Sequence, residues 1–125
     1  MEKQSMAATF TQISLEEMHQ FLTRAFRALH PKQNLSRGEI FYDLSLSDNV
    51  AIRVWTSIGP HGQAAGIGSD AIRVQLFGAK LNRPLMAGKA PIVKRTQNWR
   101  DSLKDRIEDM MEAYEEKEEY WESRQ

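Results

Sequence analysis

Residues 39 to 58 read EIFYDLSLSDNVAIRVWTSI, and their side chains alternate in character. Ile40, Tyr42, Leu44 and Leu46 fall on one side, Glu39, Phe41, Asp43 and Ser45 on the other; after a break, Val50, Ile52, Val54 and Ile58 oppose Ala51, Arg53, Trp55 and Ser57. A period of two is that of a half-buried β-strand. The Ser47, Asp48, Asn49 cluster between the two runs supplies a tight turn. The stretch therefore predicts an antiparallel hairpin with one aliphatic face and one face of mixed aromatic and charged residues.

Working outward, AIRVQLF at residues 71 to 77 repeats the pattern, with Ile72, Val74 and Leu76 against Arg73, Gln75 and Phe77. A fourth strand is expected within residues 90 to 96, where Pro84 and Pro91 make the preceding chain irregular and favour an edge position. On the N-terminal side, Ser14 and Glu17 have the spacing of a capping box, and Ile13 with Met18 that of a hydrophobic staple. Met18, Phe21, Leu22, Ala25 and Leu29 follow at helical spacing until Pro31, which predicts a helix over about residues 14 to 30. At the other end Thr96 or Asn98 is expected to cap a helix over residues 98 to 121, with Trp99, Leu103, Ile107, Met110, Met111, Tyr114 and Trp121 near one face.

The implied fold is α+β: an N-terminal helix, an antiparallel meander of about four strands and a long C-terminal helix, both helices on one sheet face. Residues 1 to 13 read as a flexible N-terminus, 14 to 114 as the single domain and 115 to 125 as an acidic C-terminal helical arm. An unbroken helix from 98 to 121 would reach roughly 36 Å, so its end is expected to overhang the sheet.

Composition narrows the function. The chain has 125 residues, 41% of them apolar and 27% charged, with no cysteine. Disulfide scaffolds, thiolate zinc sites and cysteine nucleophiles are thereby excluded. His19, His30 and His61 do not by themselves suggest a metal site, and no cofactor or metal is expected. No run reaches the roughly 18 apolar residues of a membrane helix, and the first residues lack a signal-peptide core, so a cytoplasmic protein without membrane contact is expected.

Net charge is zero, yet the charges are unevenly placed. Residues 1 to 100 hold 13 Lys and Arg against 7 Asp and Glu, whereas residues 101 to 125 hold 4 against 10. Between Val50 and Arg100 the only acid is Asp70, set against eight basic residues. Such a field favours anionic partners.

If both helices cover the aliphatic face, no predicted element is left for the other one. That face would carry Phe41, Asp43, Arg53, Trp55, Arg73, Gln75 and Phe77. Aromatic rings stack on unpaired bases and Arg meets phosphate or a base edge, so single-stranded nucleic acid fits this surface, with Lys94 and Arg95 of the basic segment 80 to 100 adding charge. The competing expectation is burial of the same face by a second copy, a partner protein or the overhanging helix, with the arginines pairing with Asp43 and the acidic tail. The acidic arm of one copy and the basic segment of another would make such a homodimer complementary in charge. The RRM pattern is not met, since IRVQLFGA lacks its glycine and aromatic spacing.

Two further features are open. The loop GPHGQAAGIGSD, residues 59 to 70, follows a strand and offers Gly62, Gly66 and Gly68 as a backbone cradle for phosphate, against a plain hairpin connection. It lacks a P-loop ending and the GxGxxG spacing. A metal-dependent nuclease would need converging acids near a lysine, and Asp43, Asp70 and Lys80 supply the residue types at a spacing that matches no motif. Catalysis is for that reason the weaker reading, behind binding.

Overall fold

The computed structural model describes residues 11–66, 70–80, 82–86 and 92–124. The first helix, α1, spans Leu15–Ala25 and runs into a 3₁₀ turn at Arg27–Leu29. Six strands follow: β1 Lys32–Ser36, β2 Glu39–Ser45, β3 Val50–Ser57, β4 Asp70–Gly78, β5 Arg83–Pro84 and β6 Ile92–Lys94. Helix α2, Trp99–Glu116, and a short helix α3, Glu118–Ser123, complete the chain. The sheet is antiparallel in the order β1-β2-β3-β4-β5, with β6 also paired to β4.

The expected α+β architecture is present. Ile52, Val54, Val74, Leu76, Met18, Leu22, Leu103 and Ile107 are fully buried, and Ile72 nearly so, in one core between the aliphatic sheet face and the helices. At the start of α1 the Ser14 hydroxyl accepts from the Glu17 amide at 3.3 Å, while Ile13 and Met18 are both fully buried. Phe21 then meets Trp99 edge-on at 6.0 Å between ring centroids, which joins α1 to α2. Asn98 holds the N-cap position of α2 without a side-chain hydrogen bond; the Trp99 amide donates to the Thr96 carbonyl instead.

Four details depart from the sequence expectation. A strand, β1, occupies KQNLS, a segment that belongs to none of the expected helices or strands. It pairs with β2 across Arg37 and Gly38, both at positive φ (48° and 80°), which is the geometry of a two-residue type I′ hairpin turn. Glycine at 38 meets that requirement without strain. Helix α1 ends at Ala25 and tightens into a 3₁₀ turn before His30, at φ 51°, and Pro31. Residues 11 to 13, read as part of a flexible terminus, are built in: the Thr11 amide donates to Arg95 and Ile13 accepts from Ala64. Residues 1 to 10 lie outside the described residues.

The fourth departure is at the C-terminus. The helix expected over 98 to 121 breaks at Lys117 (φ −139°, ψ 47°), and α3 turns back on the domain instead of overhanging it. The Trp121 indole donates to the Ala113 carbonyl at 2.8 Å. Glu122 accepts from the hydroxyls of Ser47 at 2.6 Å and Tyr114 at 2.7 Å and from the Asn49 amide nitrogen at 3.1 Å. Ser47 in turn accepts from the amides of Asn49 and Val50, so one carboxylate ties the chain end to the β2–β3 turn.

That tie is sensitive to acid. Hydrogen bonds from Ser47 and Tyr114 hold the Glu122 carboxyl below its usual range, and burial with the bond to Glu122 pushes Tyr114 up to about 12, so the phenol stays a donor. A lowered native pKa means that the contribution of Glu122 is complete above the ordinary carboxylate range, near pH 4.3, and is lost as pH falls through the native value. Melting temperature of the wild type is expected to drop across that acid window more steeply than that of Glu122→Gln. Parallel curves for the two proteins would show that Glu122 does not anchor the turn.

Candidate nucleic-acid interface

Strand register places Glu39, Phe41 and Asp43 on β2 opposite Ser57, Trp55 and Arg53 on β3. Arg53 and Trp55 are in turn opposite Gln75 and Arg73 on β4, and Ala51 is opposite Phe77. These residues share the face turned away from the helices. Phe41, Asp43, Arg53, Trp55, Arg73 and Phe77 are only half-buried there. On β6, Val93 is buried, so Ile92 and Lys94 project on the open side, with Ile92 opposite Arg73 and Lys94 exposed.

Arg53 organises the centre of this face. Its Nε and Nη2 donate to the two carboxylate oxygens of Asp43 at 2.8 and 3.0 Å. Its guanidinium carbon also lies 4.2 Å from the Phe41 ring centroid and 4.0 Å from that of Phe77. Both rings are diagonal neighbours of Arg53, one on each flanking strand, which is the reach expected of long side chains across a sheet. Small Ala51 opposite Phe77 leaves room for the guanidinium to lean over that ring. Phe77 then meets Trp55 edge-on at 6.1 Å and 74°. The result is a preassembled layer of Phe41, Arg53, Phe77 and Trp55 with its central charge neutralised.

The other residues of the expected site are distributed as follows. Gln75 is buried and its amide nitrogen faces the Met86 carbonyl at 3.5 Å, so it supports the β4 edge and offers little to a ligand. Arg73 makes no ion pair or side-chain hydrogen bond among the described residues. Arg95 is half-buried beside Thr11, whose amide its carbonyl accepts. Arg53, expected to meet phosphate, has its Nε and Nη2 committed to Asp43 and its guanidinium packed against the Phe41 and Phe77 rings.

At one end of the face Glu39, Trp55, Ser57, Gly66 and Arg73 line a cleft of about 210 Å³. Glu39 joins the residues expected on this face. Its place in the alternation, two residues before Phe41, is the signal that identifies it.

The glycine loop takes a structural role. The amides of Gly59, Gly62, Ala64 and Ala65 donate to the carbonyls of Gln63, Gly59, Ile13 and Ser57, and the His61 amide to the Gln63 side chain. Leu15 at the start of α1 donates to the Gly62 carbonyl. A Cβ at Gly59 would meet the end of the flexible Gln63 side chain, which would have to move aside. The Gly62 amide is thus committed to the Gly59 carbonyl, Gly66 lines the cleft at the end of the open face, and Gly68 lies outside the described residues. Among the described residues no three acidic or His side chains gather as a metal site. Asp43, required by the nuclease reading, is held by Arg53, and the Asp70 side chain lies outside the description.

Among the described residues no helix is long and apolar enough to cross a membrane. Comparison with protein-family models, with curated proteins and with solved structures finds no match to this chain.

Proposed function

We propose that this chain is a binding module that takes single-stranded nucleic acid across its open sheet face. The observation that supports the reading is the half-exposed layer of Trp55, Phe77 and Phe41, packed around Arg53 and bordered by exposed Lys94 and by Arg73, which has no side-chain partner among the described residues. A rigid aromatic surface stacks bases at low entropic cost, and free cations at its border meet the phosphate chain. Lys94 takes the phosphate role on this reading, because Arg53 is already engaged.

A labelled oligonucleotide titrated at about 50 mM salt tests the proposal under the conditions that favour phosphate contacts. Trp55→Ala is expected to lose about 1 to 3 kcal/mol of affinity, the scale of one base stacked on an aromatic ring. Lys94→Ala is expected to lower the salt slope by about 0.7, the increment for one phosphate on a single strand. The absence of any mobility or anisotropy change in the wild type would end the reading.

A second reading has its own support. The Arg53–Asp43 pair leaves the centre of the face without net charge and ringed by Phe41, Phe77 and Trp55, a surface that a second copy could cover. A homodimer through this face would elute at twice the monomer mass and shield Trp55 from quenchers, and Trp55→Ala would return it to a monomer.

A further inference from the structure

We infer that the cleft at the end of the open face selects guanine from a bound single strand, an inference that rests on the nucleic-acid reading above. Its volume, about 210 Å³, is below the roughly 300 Å³ at which pockets for drug-sized ligands begin, so it accommodates one ring system and not a dinucleotide. Trp55 lines it and stands directly opposite Arg73 across the β3–β4 pair. Glu39 stands on β2 beside it, opposite Ser57. Glu39 and Arg73 share the cleft yet pair neither with each other nor, among the described residues, with any other side chain. Exposed Glu39 and half-buried Arg73, lining one small cleft without pairing, offer a set of acceptors and a set of donors to what enters.

The chemistry of the two groups distinguishes the bases. A carboxylate only accepts hydrogen bonds and a guanidinium only donates them. Guanine presents two adjacent donors, N1–H and the N2 amine, on its Watson–Crick edge, and two adjacent acceptors, O6 and N7, on its Hoogsteen edge. It can therefore meet Glu39 and Arg73 with a pair of bonds each. Adenine and cytosine place a ring-nitrogen acceptor beside their amine, which sets a lone pair against the carboxylate. Uracil and thymine flank their single N–H with carbonyl oxygens on both sides. Stacking on Trp55 is common to all of them and contributes no discrimination.

The test compares labelled oligonucleotides about 12 nucleotides long, one of thymine alone and others alternating thymine with guanine, adenine or cytosine. The wild type is expected to bind the guanine-containing strand about tenfold more tightly than the rest, the lower part of the range for a bidentate base contact. Glu39→Gln and Arg73→Ala are each expected to abolish that preference, whereas Lys94→Ala weakens all four strands alike and keeps it. Glu39 is exposed, so its variant is expected to melt with the wild type. Equal affinity of the wild type for all four strands overturns the guanine inference and leaves the single-strand reading standing. A guanine preference that survives Glu39→Gln overturns the role of this cleft. Binding to none of the strands overturns both proposals.

Discussion

Val74→Asp is expected to leave the chain without a cooperative melting transition. Val74 is fully buried at the centre of β4, opposite Val54, and is flanked along its own strand by buried Ile72 and Leu76. The buried polar side chains among the described residues are Thr56 and Gln75, neither a cation, so a carboxylate at 74 would find no counter-charge. It would have to be taken up as the neutral acid or remain an unpaired charge, and either form costs several kcal/mol. Domains of this size are stable by about 5 to 15 kcal/mol, so that loss consumes much or all of the margin. Val74→Ala, which removes only two methyl groups, should cost about 2 kcal/mol and still melt cooperatively. Arg73→Asp, one residue earlier on the half-exposed face, is expected to fold. Circular dichroism melts of the three variants check the face assignment, and a cooperative melt for Val74→Asp would overturn it.

The hairpin around residues 47 to 49 was legible because its alternation is long and one of its faces is predominantly apolar. The same rule identified β4 and, through parity alone, the composition of the open face. It did not identify β1, because KQNLS has one aliphatic residue and follows a proline, and its turn uses Arg37 at a positive φ where Asn or Asp would have been the signal. Leu35 shows the consequence: it lies on the core side, opposite Ile40, yet is 65% exposed because it sits on the edge strand. Ile58 matched the aliphatic alternation but is also exposed, and the last covered position of β3 is Thr56, whose hydroxyl donates to the Ala71 carbonyl.

The long-range ties were not legible. Glu122 lies 75 residues from Ser47 in sequence, and nothing in a run of glutamates marks one of them as the partner of a distant turn. Likewise the glycine loop carries the composition of a phosphate cradle, and only the folded backbone shows that the amides of Gly59, Gly62, Ala64 and Ala65 are engaged by carbonyls of residues 63, 59, 13 and 57. The open face occupies an intermediate position. Its membership followed from periodicity, whereas the distinction between Arg53, engaged by Asp43, and Arg73, without a side-chain partner among the described residues, required cross-strand register, since both arginines follow an isoleucine and precede a valine in the near-identical segments AIRVW and AIRVQ.

That distinction leads to the last expected result: Arg53→Met should destabilise the fold by about 2 to 3 kcal/mol, more than a surface ion pair would. The side chain of Arg53 is 15% exposed and that of Asp43 26%, so the pair stands between an exposed bridge, worth about 0 to 1 kcal/mol, and a fully buried one, whose disruption costs about 3 to 5. Two aromatic rings within about 4 Å of the guanidinium add a cation–π contribution of about 0.5 to 1 kcal/mol each. Methionine retains most of the stem that packs between Phe41 and Phe77, so the loss reports charge and hydrogen bonding in preference to lost volume. Asp43 is left half-buried without its partner, and this residual charge is the larger part of the cost. The double variant Arg53→Met with Asp43→Leu removes that charge and is expected to recover more than half of the lost stability, giving a coupling energy well above the few tenths of a kcal/mol of independent sites. Denaturant melts of the two single variants and the double variant complete the cycle. Additive losses would mean that Arg53 and Asp43 do not act as a unit and that the aromatic layer is held by packing alone.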